Sequence, residues 1–376
     1  MHILIAPNAF KNSLDATQVS EAIAEGLAQS RLDCSTECFP VADGGDGTGS
    51  LIVQSCKGER VSMEVRDPLG RKISSSFGLI DEGKTAVIEM ADASGLRLLK
   101  KEELNPMQTS SYGTGELITA ALDKGVCRII IAMGGSATVD GGCGILNALG
   151  IDFLDAEGKR FKAIPRELLN MARIDISNLD KRILNCEVVV LCDVNNKLLG
   201  PEGAAAVFGP QKGASPQDVP RLDSFLENFA AVSLSQTGKD MASVKHGGAA
   251  GGATAGLYSW INAKLVNGID YFLSLTGFDE ALKHSDLVIT GEGSIDSQTL
   301  QGKGPYGVAI KAKEKGLRVI GLGGKVEADK ELDRYFDELI NINKEPVDLA
   351  TAMKRTKENL VKAGREIGDR VAGYMK

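Results

Sequence analysis

The chain reads as an α/β protein, a parallel sheet with a second, mixed α/β domain inserted into it. Three observations predict this. Short β-branched runs alternate with amphipathic helical stretches. Segments bearing glycine or aspartate follow most of those runs. Residues 61–90 then break the rhythm with three strand-like runs in succession. Alternation of strand, loop and helix builds a parallel sheet with helices on both faces. Consecutive strands joined by tight turns build a local antiparallel meander instead.

The elements follow in order. Ile3–Ala6 is the first strand. A helix runs from Ala16 to about Gln29, with Val19, Ile23 and Leu27 on one face at spacing four. Asp15 caps it, Gln18 completes a capping box, and Leu14 and Val19 occupy the hydrophobic-staple positions. The runs VSMEV, KISSSFGLI and TAVIEM, separated by DPLG and DEGK, form the meander. Further strands are Arg128–Ala132, Glu187–Cys192, Asp286–Thr290 and Arg318–Leu322. Residues 346–374 form an amphipathic helix with Leu349, Met353, Leu360, Ile367 and Val371 on one side, packing back on the N-terminal sheet. This places one discontinuous domain at 1–60 plus 275–376 and the inserted domain at 61–274. The stretch around 110–150 could belong to either.

A chain of 376 residues suits two or three domains and can bury a core without disulfide or metal staples. Its net charge of −7 argues against a nucleic-acid partner, which calls for a basic face. Apolar runs such as Ile129–Met133 fall far short of the ~20 residues of a membrane span. The N-terminus MHILIAPNAF reads as a strand rather than a signal peptide. Seven cysteines without a C-x-x-C pair suggest reduced thiols in a cytoplasm, most of them in the core.

Glycine is over-represented, with 44 residues against the roughly 7% typical of proteins. Five clusters stand out: 43–49, 134–144, 246–252, 291–296 and 321–325. Glycine loops let backbone N–H groups approach an anion, and a helix starting just beyond favours phosphate. Loops of this kind at the carboxyl ends of parallel strands would line one crevice. There is no G-x-x-x-x-G-K-[ST], no G-x-G-x-x-G after a strand, and no kinase HRD or DFG. A phosphate-handling enzyme must therefore use another nucleotide fold. Turns and tight helix–strand contacts are the competing role for any one cluster.

Asp43, Asp46, Asp140, Asp193, Glu292 and Asp296 all fall in or beside segments that follow apolar strands. An unpaired carboxylate at a buried strand end is costly, and a cation or a hydrogen-bonded ligand offsets that cost. Mg²⁺ takes one or two carboxylates plus substrate phosphates, and a further carboxylate can accept the proton of an attacking hydroxyl. For Asp140, which precedes two glycines, a turn or helix N-cap competes equally. Lys11, Lys303 and Lys325 are the candidate cations, Lys11 and Lys303 the stronger two because Gly, Pro or small polar residues flank them. His246 abuts a glycine cluster, where a structural role outweighs a catalytic one.

The stretches APNAFKNSL, PVADGGDGTG, SYGTGELI, GGSATVDGG, CDVNNKLLGPEGAAAVFGPQKGA, GGAAGG and DLVITGEGSIDSQTLQGKGPYGVA run nearly end to end. In them the sequence resembles the bacterial type I glycerate kinase family. The resemblance implies ATP-dependent phosphorylation of D-glycerate, most often to 2-phosphoglycerate, in the catabolism of organic acids such as glycerate, glyoxylate and glucarate. It also implies two α/β domains, one flavodoxin-like, with the active site in the cleft between them. Departures are few: Asp46 stands where the family often has Glu, Val139 where it has Asn, and Ser294 where it has Arg.

Chemistry applied to these motifs distributes the roles. Lys11, with Asp43, Gly44 and Gly45 of the 43–49 loop, holds the glycerate carboxylate. Asp46 or Asp193 orients or deprotonates the attacking hydroxyl, and Lys303 bears on the charge that builds during transfer. Gly134, Gly135, Ser136 and Thr138, with Gly291, Gly293 and Ser294, cradle ATP phosphates. Asp193, Glu292 or Asp296 holds Mg²⁺. The partners are thus D-glycerate and ATP, on a monomer or homodimer. Three alternatives remain: 3-phosphoglycerate as the product, a nicotinamide-dependent oxidoreductase, which should show a fingerprint loop absent here, and a non-catalytic nucleotide sensor, which would not need so many strand-end carboxylates.

Overall fold

The computed structural model describes residues 1–327, 329–345 and 347–374. Thirteen strands run through the described chain: β1 (His2–Ile5), β2 (Ser35–Cys38), β3 (Glu59–Arg66), β4 (Lys72–Ile80), β5 (Thr85–Glu89), β6 (Arg128–Ala132), β7 (Asp152–Leu154), β8 (Arg173–Asp175), β9 (Glu187–Cys192), β10 (Lys264–Asn267), β11 (Leu287–Ile295), β12 (Arg318–Val326) and β13 (Glu338–Asn341). The chain forms two compact units, one of Met1–Asp43 with Ile269–Lys376 and one of Gly44–Gly268. The change of unit falls inside the DGGDGTG motif, so residues 44–60 and 110–150 both lie in the second unit.

In the first unit, a five-stranded sheet runs in the order β13-β12-β11-β1-β2, with every pair parallel. Counted within the unit, that is the flavodoxin-like order 2-1-3-4-5, whose topological switch lies between β1 and β11. Strand residues Ile3, Ile5, Leu287, Ile289, Ile320 and Leu322 pack with Val19, Ile23 and Leu27 of the first helix. That helix spans Ala16–Ala28 and starts as its sequence predicts. The Asp15 side chain accepts from Gln18 N, and the Gln18 side chain accepts from Asp15 N.

The C-terminal helix spans Leu349–Tyr374, and the Pro346 at which the sequence starts it lies outside the described residues. It packs mainly on the first helix rather than directly on the sheet. A Cβ at Gly26 would sit 2.1 Å from Val361 O, so the two backbones touch where both helices carry glycine. Leu360, Ala363 and Ile367 join the core, but Leu349 is 73% exposed and does not extend the apolar face as the periodicity suggests.

In the second unit, a six-stranded sheet runs in the order β10-β9-β6-β5-β4-β3. The four strands from β10 to β5 are parallel, while β5-β4 and β4-β3 are antiparallel. The meander over residues 61–90 is therefore real, and it extends a parallel sheet rather than standing apart from it. A small antiparallel pair, β7-β8, sits beside it. The core draws on Phe77, Ile88, Ile129, Ile131, Val188, Val190, Phe225 and Phe229.

Two glycine segments differ from their sequence-based form. Residues 291–296 and 321–325, expected as loops, are mostly the extended ends of β11 and β12, with Gly291 opposite Leu322, Glu292 opposite Gly323 and Ser294 opposite Lys325. Close pairing is the reason. A Cβ at Gly291 would come within 2.3 Å of Leu322 O, and one at Gly324 within 2.7 Å of Gly293 O. Thiol burial also differs from expectation: all seven cysteines are free, and only Cys143 and Cys192 are buried. No described helix is long and apolar enough to cross a membrane.

Candidate active site

In the first unit, polar groups gather at the carboxyl ends of β1 and β11, the switch point of the sheet. Asn8 follows β1 and donates from Nδ2 to Asp43 Oδ2 at 2.9 Å. Gly304 N, at the start of the helix Gly304–Glu314, donates to the same oxygen at 3.3 Å. Asp43 thus caps a helix N-terminus, where the dipole favours an anion.

Glu292, near the end of β11, is 7% exposed and accepts from Thr299 Oγ1 at 2.8 Å. Burial pushes its carboxyl up to about 7. Lys303, the Thr299 hydroxyl and Lys11 pull it back, while Asp43 pushes the same way as burial. Two ammonium groups and a second carboxylate therefore act on Glu292 within this unit. Such a group can hold a phosphate through its lysines and a hard cation through its carboxylates. Asp296 is less available, since its side chain accepts from Ser294 Oγ and Gln298 N in its own turn.

In the second unit, the 44–49 turn packs against the 134–144 loop. Gly134 N donates to Gly44 O at 3.1 Å, and a Cβ at Gly134 would lie 2.4 Å from Asp46 N. Only glycine fits there. The turn's own amides are largely engaged. Gly44 N donates to Thr48 Oγ1, and Gly47 N donates to the Glu89 carboxyl. Gly44 N and Gly47 N, two of the amides expected to meet a substrate carboxylate, thus have partners within the protein.

Glu89 ends β5 and is 4% exposed. Burial pushes its carboxyl up to about 7, against the Gly47 hydrogen bond, with Asp92 and Asp46 reinforcing the rise. Asp46 itself is exposed, and Arg97 lies 3.9 Å from it while also pairing with Asp92. One arginine and three carboxyl groups thus surround the Asp46 turn.

The 134–144 loop is locked from within. Asp140, fully buried, accepts from Ser111 N (2.8 Å), Ser111 Oγ (2.7 Å), Gly142 N (3.1 Å) and Gly144 N (3.2 Å). This is the turn-and-cap role that its sequence allowed. Ser136 Oγ accepts from the buried Lys212 ammonium at 2.8 Å. Asp193 is half-buried just after β9. His246 is structural: its ring Nδ1 lies 2.7 Å from Val194 O, and its carbonyl accepts from Thr254 Oγ1.

Sequence reasoning passed over Asn8, Glu89, Arg97, Lys212 and Thr299. Two of them carried a usable signal. Glu89 is a charge at the end of a wholly buried strand, the pattern that singled out Asp193. Lys212 sits in the Gly/Pro-flanked GPQKGA.

A family model described as the glycerate kinase family matches residues 3–372. The chain belongs to the glycerate kinase family. It is accordingly an enzyme, a phosphotransferase with an alcohol group as acceptor. A glycerate kinase of Halalkalibacterium halodurans is 43% identical, covering 97% of both chains. The glycerate 2-kinase of Escherichia coli K12 is 41% identical over 99% of this chain and 98% of its own. A crystal structure of a glycerate kinase 2 candidate from Salmonella typhimurium LT2 superposes with a TM-score of 0.85 at 42% identity, over the full length of both chains. The nicotinamide oxidoreductase and the non-catalytic sensor fall away with that membership.

Proposed function

We propose that the chain transfers the terminal phosphoryl group of ATP to the 2-hydroxyl of D-glycerate, giving 2-phosphoglycerate. The observation that carries this is the group formed by Glu292, Asp43, Lys303 and Lys11 at the switch point of the first unit's sheet. The name of the Escherichia coli relative supports the 2-position. Phosphoryl transfer asks for positioned charge more than for covalent help, and these residues supply charge of both signs.

The donor set fits Mg²⁺ in kind. Glu292 presents hard oxygen beside a second carboxylate, and its proton near neutrality is one a cation would displace. No group of three His, Cys, Asp or Glu among the described residues forms a ready-made metal site, so phosphate oxygens would complete the shell. Glu292 is the foremost ligand, with Asp296 and Asp193 as further candidates. When bound, the ion would neutralise charge on the phosphates.

Lys303 bears on the phosphoryl group as its charge builds, and Lys11 on the glycerate carboxylate. The 134–138 turn, through Gly134, Gly135, Ser136 and Thr138, meets ATP phosphates, as do Gly291, Gly293 and Ser294. Asp46 or Asp193 takes the hydroxyl proton. The enzyme acts in organic acid catabolism in the cytoplasm, as a monomer or homodimer.

A coupled assay with ATP, Mg²⁺ and D-glycerate tests the reading. ATP consumption should depend on glycerate, and consumption without it defeats the proposal. Phosphorus NMR should show a 2-phosphoglycerate resonance, and a 3-phosphoglycerate resonance would correct the position. Asp193→Asn should lower kcat at least 100-fold if that residue is the base.

A further inference from the structure

Lys212 ends the short turn Pro210–Lys212 and is only 3% exposed. Its ammonium donates to Ser136 Oγ at 2.8 Å and to Thr138 O at 2.7 Å. No carboxylate lies within ion-pair distance of it among the described residues. The charged group that acts on it is Asp140, whose oxygens already accept from Ser111, Gly142 and Gly144. An ammonium has three N–H donors, so one remains. Beside it, the fully buried Thr138 Oγ1 has no hydrogen-bond partner. A buried cation without a counter-ion is expensive, and so is a buried hydroxyl without a partner. The hydroxyl belongs to the turn assigned above to the nucleotide phosphates, and the ammonium binds that same turn.

The direction of the hydrogen bonds matters. An ammonium can only donate, so Ser136 Oγ must accept from Lys212. The Ser136 proton is then free to point at another acceptor. We propose that Lys212 is a positioning residue for the nucleotide: it turns the Ser136 hydroxyl into a donor aimed at a phosphate oxygen, and the arriving anion supplies the counter-charge that the buried ammonium lacks. This rests on the phosphate role proposed for the 134–138 turn.

Proton linkage supports the idea and provides its test. Burial pulls the Lys212 ammonium down to about 7, with Asp140 opposing. As pH rises above neutrality the free enzyme therefore increasingly holds this lysine uncharged. A phosphate nearby favours the charged form, so nucleotide binding should draw a proton from solution.

The experiment is calorimetric titration of the full-length enzyme with a non-hydrolysable ATP analogue at pH 8, in buffers of different ionisation enthalpy. The wild type should take up a substantial fraction of one proton, and uptake should fade toward pH 6, where Lys212 is already charged. Lys212→Met should abolish the uptake. Ser136→Ala should raise KM for ATP on the order of tenfold, with a much smaller change in KM for glycerate. Analogue binding without proton uptake by the wild type overturns the inference even if the methionine variant cannot be made. Equal uptake by wild type and Lys212→Met, or an unchanged KM for ATP in Ser136→Ala, overturns it too. In each of these cases the kinase reading stands. Loss of glycerate-dependent ATP consumption in the wild type defeats that reading, and this inference with it.

Discussion

Asn8 and Asp43 are joined by a 2.9 Å hydrogen bond that ties the segment after β1 to the segment after β2, across 35 residues of sequence. The bond lies at the switch point of the sheet. Asn8→Ala removes a neutral donor from a buried carboxylate and should destabilise the protein by about 1–3 kcal/mol. Urea unfolding measures that loss. At 25 °C, where the variant is still folded, kcat/KM should also fall about tenfold. Unchanged kinetics would separate Asp43 from the active site.

Glu89 should make stability depend on pH in a defined sense. Its folded pKa, about 7, is raised above an ordinary 4.5. The stability it contributes is fully present below about 4.5 and is lost as pH rises through 7. Glu89→Gln keeps an acceptor for Gly47 N and removes the titration. Its urea midpoint should therefore gain on that of the wild type between pH 5 and pH 8. Part of the slope should persist in the variant, because Glu292 is raised for the same first reason, burial. Parallel wild-type and variant curves would show that Glu89 does not titrate there.

Asp140 and Asp193 should separate stability from catalysis. Four hydrogen bonds converge on the buried Asp140, so Asp140→Ala should cost about 3–5 kcal/mol by leaving those donors without a partner. The thermal midpoint should drop by several degrees. Asp193 is half-buried, and Asp193→Asn should leave the midpoint within about 2 °C of the wild type. A variant at 140 with native stability would contradict the structural role assigned to it.

Gly134→Ala places a methyl group 2.4 Å from the backbone of Gly45 and Asp46. Backbone cannot move aside as a flexible side chain can. The two turns must separate by about an ångström, and misplacement on that scale costs on the order of 100-fold in rate. Activity should fall by that much, accompanied by loss of stability. Gly70→Ala is a useful control: no atom lies within 4 Å of the added Cβ, although its φ of +84° adds some strain.

Much of the molecule was legible in the sequence because local rules dominate there. The capping box of Asp15 and Gln18 involves residues three apart, and it forms as read. The run Lys72–Ile80 is a strand to the residue, bounded by turn-forming segments. Glu292 stands near the end of the apolar strand β11 as read, whereas Asp43 and Asp46 follow the polar strand β2 and Lys303 is the N-cap residue of the next helix. Their residue types pointed to a phosphate and a cation, and the resemblance of the motifs to a known family pointed to a phosphotransferase.

Only the tertiary structure decided the rest, because pairing and burial join residues far apart in the chain. Glycines at 291, 293, 321 and 323 look like loop residues by composition, yet parallel pairing with a neighbouring backbone makes them strand. Leu349 fits the periodicity of an apolar face, but packing leaves it largely exposed. Nor does a lysine's sequence context reveal whether water can reach it. Lys212 becomes a buried cation because Ser136 and Thr138, more than 70 residues earlier, fold over it.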